Sequence, residues 1–101
     1  ILMSYLLSAV AAGRVRELLG HARRAARPGA HLLLHDFMLD DDRSGPATAA
    51  LWLLNAVTID PDVASLTPAW LSEQVRAAGF GDATVRDVIP GITRLLTARV
   101  A

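Results

Sequence analysis

The sequence lacks cysteine and lysine, and its ten arginines are balanced by ten acidic residues. Without cysteine there is no disulfide framework and no thiolate or zinc-thiolate site, which suits the cytoplasm. A formal net charge of zero removes the general electrostatic attraction that nucleic acid or an anionic membrane would need. We therefore expect no nucleic-acid or membrane partner. Arginine as the only strong cation, beside abundant alanine, indicates a bacterial source.

Long apolar runs are also missing, although 52% of the residues are hydrophobic. No run reaches the roughly 18 residues that a membrane span requires. Residues 1–10 have neither the charged region nor the small-residue cleavage site of a signal peptide. The length of 101 residues allows one small domain at most. Because the sequence opens within an apolar run at Ile1, we expect a strand cut from something longer.

The stretch 30–45 organises the rest of the chain, because it is the only run that we expect to be buried on both faces. Leu32, Leu33 and Leu34 follow one another, which predicts a central parallel strand buried on both faces, because a half-buried strand would alternate. Asp36 then lies near the carboxyl end of that strand, where open α/β sheets bind their ligands. Asp36 is therefore the first candidate for chemistry. A cap on the following turn, or a partner for an arginine, is the alternative role.

The periodicity of the whole sequence predicts the order strand, helix, strand, helix, helix, strand, strand. Strands are expected at 1–7, 83–88 and 92–100 in addition to the organising one, and helices at 12–26, 47–57 and 68–78. Thr67 is a good N-cap for the third helix, with Pro68 at its first position. The fold class is therefore α/β, with parallel strands and crossover helices first and an antiparallel hairpin at the end.

The predicted helix 47–57 is apolar almost all round. A helix without a polar stripe needs cover on several sides, a partner, or an apolar ligand. Trp52 and Asn55 lie on it, and either pack in the core or form part of a pocket wall.

In combination, the runs LLLHDFMLDDDRSGP and LTPAWLSEQVRAAGF resemble the C-terminal part of small-molecule O-methyltransferases of the caffeate and acetylserotonin type. The resemblance implies the C-terminal half of a Rossmann-like methyltransferase sheet, with the final strand beside the organising one. Residues 1–101 would be the C-terminal portion of a single catalytic domain. S-adenosylmethionine would be the cofactor of the complete protein. The glycine-rich cofactor loop and the dimerisation domain of this family would both precede Ile1.

The resemblance also implies roles for individual residues. The catalytic histidine of these enzymes matches Ser8, the acid that orients it matches Asp36, and a second acid falls on Ser65. Serine has no usable basicity near neutral pH, so the general base is missing from its usual place.

The cofactor side of the family's site falls on the beginning of the chain, and the acceptor side on the apolar helix. Ser4, Tyr5 and Leu7 would lie beside the cofactor, and Trp52 and Asn55 would contact the acceptor.

His35 is the tempting substitute base, because it is adjacent to Asp36. Alternation along a strand sends neighbours to opposite faces, which favours a packed or rim histidine instead. No two histidines have metal-ligand spacing, so no metal is expected.

The sequence thus predicts S-adenosylmethionine-dependent methyl transfer to a small, largely apolar acceptor, by an enzyme that is a homodimer when complete and inactive as residues 1–101 alone. Two alternatives stay open. The chain is a non-catalytic remnant that acts as an interaction or dimerisation module through helix 47–57, or the cofactor serves a reaction other than methylation.

Overall fold

The computed structural model describes residues 1–100 as one mixed sheet with helices. The strands are β1 (Leu2–Ser4), β2 (His31–Asp36), β3 (Thr84–Ile89) and β4 (Thr93–Arg99), and the helices are α1 (Ala12–Ala25), α2 (Ala47–Ile59) and α3 (Pro68–Ala77). A short 3₁₀ helix, Leu7–Ala9, joins β1 to α1.

The sheet has the strand order β1-β2-β4-β3. β1 runs parallel to β2 and is connected to it through α1, whereas β4 is antiparallel to both β2 and β3. The predicted α/β class is therefore confirmed, and so is the insertion of the final strand beside the organising one. Gly91 turns the hairpin between β3 and β4 with a φ of 75°, a conformation that residues with a Cβ rarely adopt.

One face of β2 carries the core. Leu32 and Leu34 are fully buried and belong to one apolar cluster with side chains of α1, α3 and β4. Leu33 and His35 point to the other face and are only half-buried, and His31 is exposed. The predicted burial on both faces is wrong for this chain, because α1 and α3 both pack on the Leu32 side.

The predicted strand 1–7 is wrong over its second half. β1 ends at Ser4, and Tyr5 has a φ of 55°, which turns the chain out of the sheet. The 3₁₀ helix follows, and Leu7 on it is buried in the core. The local turn wins over strand periodicity because it brings Leu7 into the apolar cluster.

Two side chains cap the N-terminus of helix α3. The hydroxyl of Thr67 accepts a hydrogen bond from the Trp70 N–H at 3.2 Å, and Pro68 occupies the first turn, as predicted. The Asp41 carboxylate accepts from the Ala69 N–H at 2.8 Å, a second cap contributed by the loop after β2. This carboxylate near a helix N-terminus is also favoured by the helix dipole.

Helix α2 runs two residues beyond its predicted end and leaves most of its apolar surface in solvent. Ala49 is its one buried residue, whereas Leu51, Leu54 and Ile59 are 66%, 62% and 82% exposed. Within residues 1–100, no helix has the length and apolar character to cross a bilayer.

We predict that residues 1–101 self-associate, because β1 leaves a strand edge unpaired and the exposed leucines of α2 gain free energy when buried. Sedimentation at several concentrations should show a mass that rises with concentration. Replacing Leu51→Gln and Leu54→Gln together should weaken association by roughly tenfold or more. His21→Gln, an exposed polar change on α1, is the control and should have no effect. A monomer at every concentration would contradict this.

Candidate functional site

The carboxyl ends of β1 and β2 lie at the same edge of the sheet, because the two strands are parallel neighbours. Asp36 is the last residue of β2 and is only 2% exposed. The 3₁₀ helix that follows β1 brings Ser8 to the same place. Ligands of open α/β sheets bind at such an edge, so we take it as the candidate site.

The Asp36 carboxylate joins the two elements. One of its oxygens accepts a hydrogen bond from the Ser8 N–H at 3.1 Å, and the other accepts from the Phe37 N–H at 2.8 Å. The arginine opposite Asp36 on β4, Arg94, pairs instead with Asp40 and Asp87. Asp36 is therefore held by backbone donors and not by a cation.

Burial raises the pKa of the Asp36 carboxyl above its ordinary value of 3.8, against the opposing effect of its hydrogen bonds to Ser8 and Phe37. Removal from water thus outweighs the stabilisation that the donors give to the charged form. The carboxyl keeps its proton to a higher pH than an exposed aspartate would.

A narrow cleft of about 10 Å³ opens beside Ser8, between α2 and the loops that follow β2 and α2. Its wall is formed by Ser8, Phe37, Leu39, Ala49, Trp52, Leu53, Ala64 and Leu66. The rings of Phe37 and Trp52 are stacked, with centroids 4.9 Å apart. Asp36 does not line this cleft, but it holds the backbone N–H groups of two residues that do.

The Ser8 hydroxyl is the unusual group in this wall. Ser8 is 5% exposed, and its Oγ makes no hydrogen bond of ordinary geometry within residues 1–100, although the hydroxyl lies near enough to the Asp36 carboxyl to help lower its pKa. The Asp36 carboxyl is therefore the nearest polar group to this buried hydroxyl.

Two of the predicted site residues lie away from this cleft. Asn55 is exposed on α2. The Ser65 hydroxyl accepts a hydrogen bond from Arg43 Nη1 at 3.0 Å and is not part of the wall. The structure therefore brings Asp36, Ser8 and Trp52 together, and leaves Asn55 and Ser65 outside; the roles of all five stay predictions. Phe37 was missed, although an aromatic directly after the strand-end aspartate was the signal for it.

The three predicted cofactor residues, Ser4, Tyr5 and Leu7, lie where β1 ends and the 3₁₀ helix begins. Ser4 Oγ is 2.9 Å from His35 Nδ1, and the Tyr5 ring packs edge-on against His35 at 4.9 Å. Tyr5 is 46% exposed and presents an aromatic face, whereas the Leu7 side chain is buried in the core. Ser4 and Tyr5 thus keep exposed side chains at the end of β1, whereas Leu7 does not, and the role of all three beside a cofactor stays a prediction.

His35 lies on the opposite face of the sheet from Asp36, as alternation predicted. Its second ring nitrogen, Nε2, is 2.9 Å from the hydroxyl of Thr93. Both nitrogens are thus engaged by hydroxyl groups, and neither reaches the cleft beside Ser8. Residues 1–100 also contain no group of three or more histidine, aspartate or glutamate side chains that could hold a metal ion.

Comparisons with known proteins point to one family of enzymes, although no protein-family model matches the chain. The chain is 37% identical over 73 residues to acetylserotonin O-methyltransferase of Gallus gallus, a match that covers 72% of this chain and 21% of that protein. It is 38% identical over 74 residues to the tetracenomycin polyketide synthesis 8-O-methyl transferase TcmO of Streptomyces glaucescens, covering 68% of this chain and 21% of that one.

Solved structures agree with the sequence matches. Human N-acetylserotonin methyltransferase in complex with SAM superimposes with a TM-score of 0.89 and 26% identity, over 99% of this chain and 28% of that one. The predicted resemblance to the C-terminal part of such O-methyltransferases is thereby confirmed, together with their Rossmann-like sheet. The chain spans about a fifth of the length of the curated relatives it matches.

We predict that the contribution of Asp36 to the free energy of unfolding decreases as the pH rises. Because its folded-state pKa lies above the 3.8 of the unfolded chain, its favourable contribution is complete below pH 3.8 and is lost as the pH rises through the folded-state pKa. The unfolding free energy of the wild type, minus that of Asp36→Asn, should therefore fall as the pH rises above 3.8. Urea unfolding in a Leu51→Gln, Leu54→Gln background would measure it.

The matched control for this pH dependence is Asp42→Asn. Hydrogen bonds from the Ser44 side chain and backbone lower the pKa of exposed Asp42, so its contribution changes only below pH 3.8. The corresponding difference for Asp42→Asn should be flat over the same range. A difference for Asp36→Asn that rises with pH would show that its hydrogen bonds outweigh burial.

Proposed function

We propose that this chain is the acceptor-side, C-terminal portion of the catalytic domain of an S-adenosylmethionine-dependent O-methyltransferase. The observation that carries the proposal is the superposition on the human N-acetylserotonin methyltransferase complex with SAM over 99% of the chain. The sequence identity of 37% to the acetylserotonin enzyme of Gallus gallus supports it independently. Homodimerisation and a cytoplasmic location belong to the same proposal.

The acceptor in this proposal is small and largely apolar. The cleft beside Ser8 is walled by aliphatic side chains and by the stacked rings of Phe37 and Trp52. Ser8 is the one hydroxyl in that wall, and Asp36 fixes the backbone on either side of it. Such a wall favours an acceptor that presents one polar atom on an apolar body.

The cofactor would supply an electrophilic methyl group, and in this chain Ser4 and Tyr5 would lie at the edge of its site. The chain's own contribution is to orient the acceptor. Holding two reactants in line can supply roughly 7–11 kcal/mol of the barrier. Replacement of the usual histidine by Ser8 therefore removes general-base assistance and leaves this positional contribution intact.

A second candidate function is an interaction module, and the exposed apolar face of α2 favours it. Leu51, Leu54 and Ile59 together present more apolar surface than scattered exposed residues normally do. A further alternative keeps the cofactor and changes the reaction, since Ser8 stands where the family has its base. Methyl transfer remains the preferred proposal because both curated relatives are named as O-methyltransferases.

Residues 1–101 alone should not bind S-adenosylmethionine usefully, because Ser4 and Tyr5 offer only a rim and the sequence has no glycine-rich loop to hold the cofactor. Calorimetric titration of the isolated chain measures this. The control is the complete methyltransferase that contains the chain, which should bind. Micromolar binding by the isolated chain would mean that a cofactor site is complete within it.

In the complete enzyme, Asp36→Asn should reduce turnover more than it weakens acceptor binding, because the carboxylate fixes the groups around the reacting atoms. Ser8→His should raise the rate with a weakly acidic hydroxyl acceptor only when Asp36 is present, since a carboxylate orients an imidazole and stabilises its protonated form. Kinetics of the two single variants and the double variant give the coupling, which we expect to be about 1–3 kcal/mol.

Additive effects of Asp36→Asn and Ser8→His would contradict the coupled role of the two positions. Asp36 would then be only the structural link between β2 and the 3₁₀ helix. Ser44→His provides the matched control, because it introduces the same side chain on an exposed loop. The Ser44 hydroxyl that it removes donates a hydrogen bond to Asp42.

A further inference from the structure

The two faces of the sheet differ in charge. Asp36 and Asp87 are the only aspartates of β2, β3 and β4, and both oppose Arg94 in the strand register, on the face that α1 and α3 cover. The open face carries the other ionisable side chains of these three strands, which are His31, His35, Arg86 and Arg99. Cationic side chains on an open face of a chain with no net charge indicate a surface that attracts an anion.

At the beginning of β2, this open face contains a groove of about 600 Å³, a size typical of small-molecule sites. Its polar side chains come from the three strands and the loop before β3, and they are His31, Asp82, Thr84, Thr97 and Arg99. Asp36 lies at the other end of β2, roughly 17 Å away along the strand. The groove is therefore separate from the candidate site at the carboxyl edge of the sheet.

Arg99 and His31 form the cationic end of the groove. They are register partners on β4 and β2, which places their Cβ atoms roughly 4.5–5.5 Å apart. Both are exposed, and within residues 1–100 neither side chain makes a hydrogen bond or an ion pair. On the covered face, by contrast, Arg94 pairs with Asp40 and Asp87. Opposed cations destabilise a sheet when the imidazole is protonated, and an anion between them removes that repulsion.

Thr84 and Thr97 form a hydroxyl pair next to these cations. They are register partners on β3 and β4, and their Oγ1 atoms lie 2.8 Å apart. One hydroxyl donates to the other, so the pair keeps one O–H donor and several lone pairs for a ligand. Thr97 precedes Arg99 by two residues, a separation of roughly 7 Å. At the rim, Asp82 adds an exposed carboxylate with one contact of 3.5 Å to Arg76.

We propose that this groove binds a small phosphate monoester with a hydroxylated body, as in a sugar phosphate. The phosphate lies between Arg99 and His31, because its three terminal oxygens can accept hydrogen bonds from the guanidinium and the imidazole together. The hydroxyl groups of the body lie at the threonine pair and at Asp82, which offer both donors and acceptors. The ligand is bound unchanged, so this inference does not depend on the proposed methyl transfer.

The experiment is a calorimetric titration of the complete protein that contains this chain, with glucose 6-phosphate as the probe. Arg99→Gln should weaken binding by about ten- to hundredfold, because it removes charge-assisted hydrogen bonds to the phosphate. The Tm should not change, since the Arg99 side chain is exposed. Arg86→Gln is the matched control. Arg86 is an exposed arginine of the same face outside the groove, so its replacement should leave binding unchanged.

The hydroxylated body of the ligand is tested separately with inorganic phosphate and with glucose. Thr84→Val keeps the branched shape and removes an exposed hydroxyl, so it should weaken glucose 6-phosphate by about two- to tenfold. The same variant should leave binding of inorganic phosphate unchanged. Glucose should bind more weakly than glucose 6-phosphate. If inorganic phosphate binds as tightly as glucose 6-phosphate, the hydroxylated ligand class is wrong.

Three results would overturn the proposal as a whole. The first is absence of binding at millimolar glucose 6-phosphate. The second is an equal loss of affinity in Arg86→Gln and Arg99→Gln, because binding would then reflect the general charge of the face. The third is displacement of glucose 6-phosphate by S-adenosylmethionine, which would place the probe in the cofactor site. Binding that survives saturating S-adenosylmethionine supports the groove, and a protein that transfers no methyl group defeats the proposed function alone.

Discussion

The buried carboxylate of Asp36 is the constraint on which the candidate site depends. It ends β2, and its two oxygens hold the backbone of Ser8 and of Phe37. Burial raises the pKa of this carboxyl although both of its oxygens accept hydrogen bonds, because the loss of hydration disfavours the charged form. The chain therefore accepts a local destabilisation at the point where the 3₁₀ helix meets the sheet. In return, the positions of two cleft-lining residues are fixed by a single side chain.

Each of the three consecutive aspartates in the loop after β2 stabilises a different part of the structure. Asp40 pairs with Arg94 of β4, Asp41 caps α3, and Asp42 accepts from the Ser44 N–H and hydroxyl. The charged side chains of the DDDRSG loop thus all have partners, several of them in distant elements of the fold. An acidic run of this kind resembles a cation site in sequence, but in the structure each carboxylate already has a different partner.

Sequence periodicity was enough to predict the elements, because their signals are local. The cap formed by Thr67 and Pro68, the turn at Gly91 and the apolar stripe of α1 each fix a boundary without reference to the rest of the fold. The end of β1 could not be predicted in this way. There, Tyr5 adopts a left-handed conformation so that Leu7 reaches a core made mostly of residues far away in sequence.

The candidate site was predictable only in part for the same reason. Strand position placed Asp36 at the edge, and alternation placed His35 on the other face. No local pattern revealed that the Ser65 hydroxyl would be engaged by Arg43, or that Asn55 would face away from the cleft. The cleft beside Ser8 depends on how α2 and two loops close around it, which only the three-dimensional packing determines.

The central position of β4 has a consequence for how the chain is made. β2 pairs with β1 on one side, but its other neighbour begins 58 residues after His35, at Thr93. During synthesis, the carbonyl and N–H groups on that side of β2 stay unpaired until the β3–β4 hairpin has left the ribosome. Pairing over so long a separation carries a loop-closure cost and slows folding. The nascent chain therefore exposes the edge of its core strand throughout translation of both α2 and α3, the interval in which a chaperone would have the most to bind.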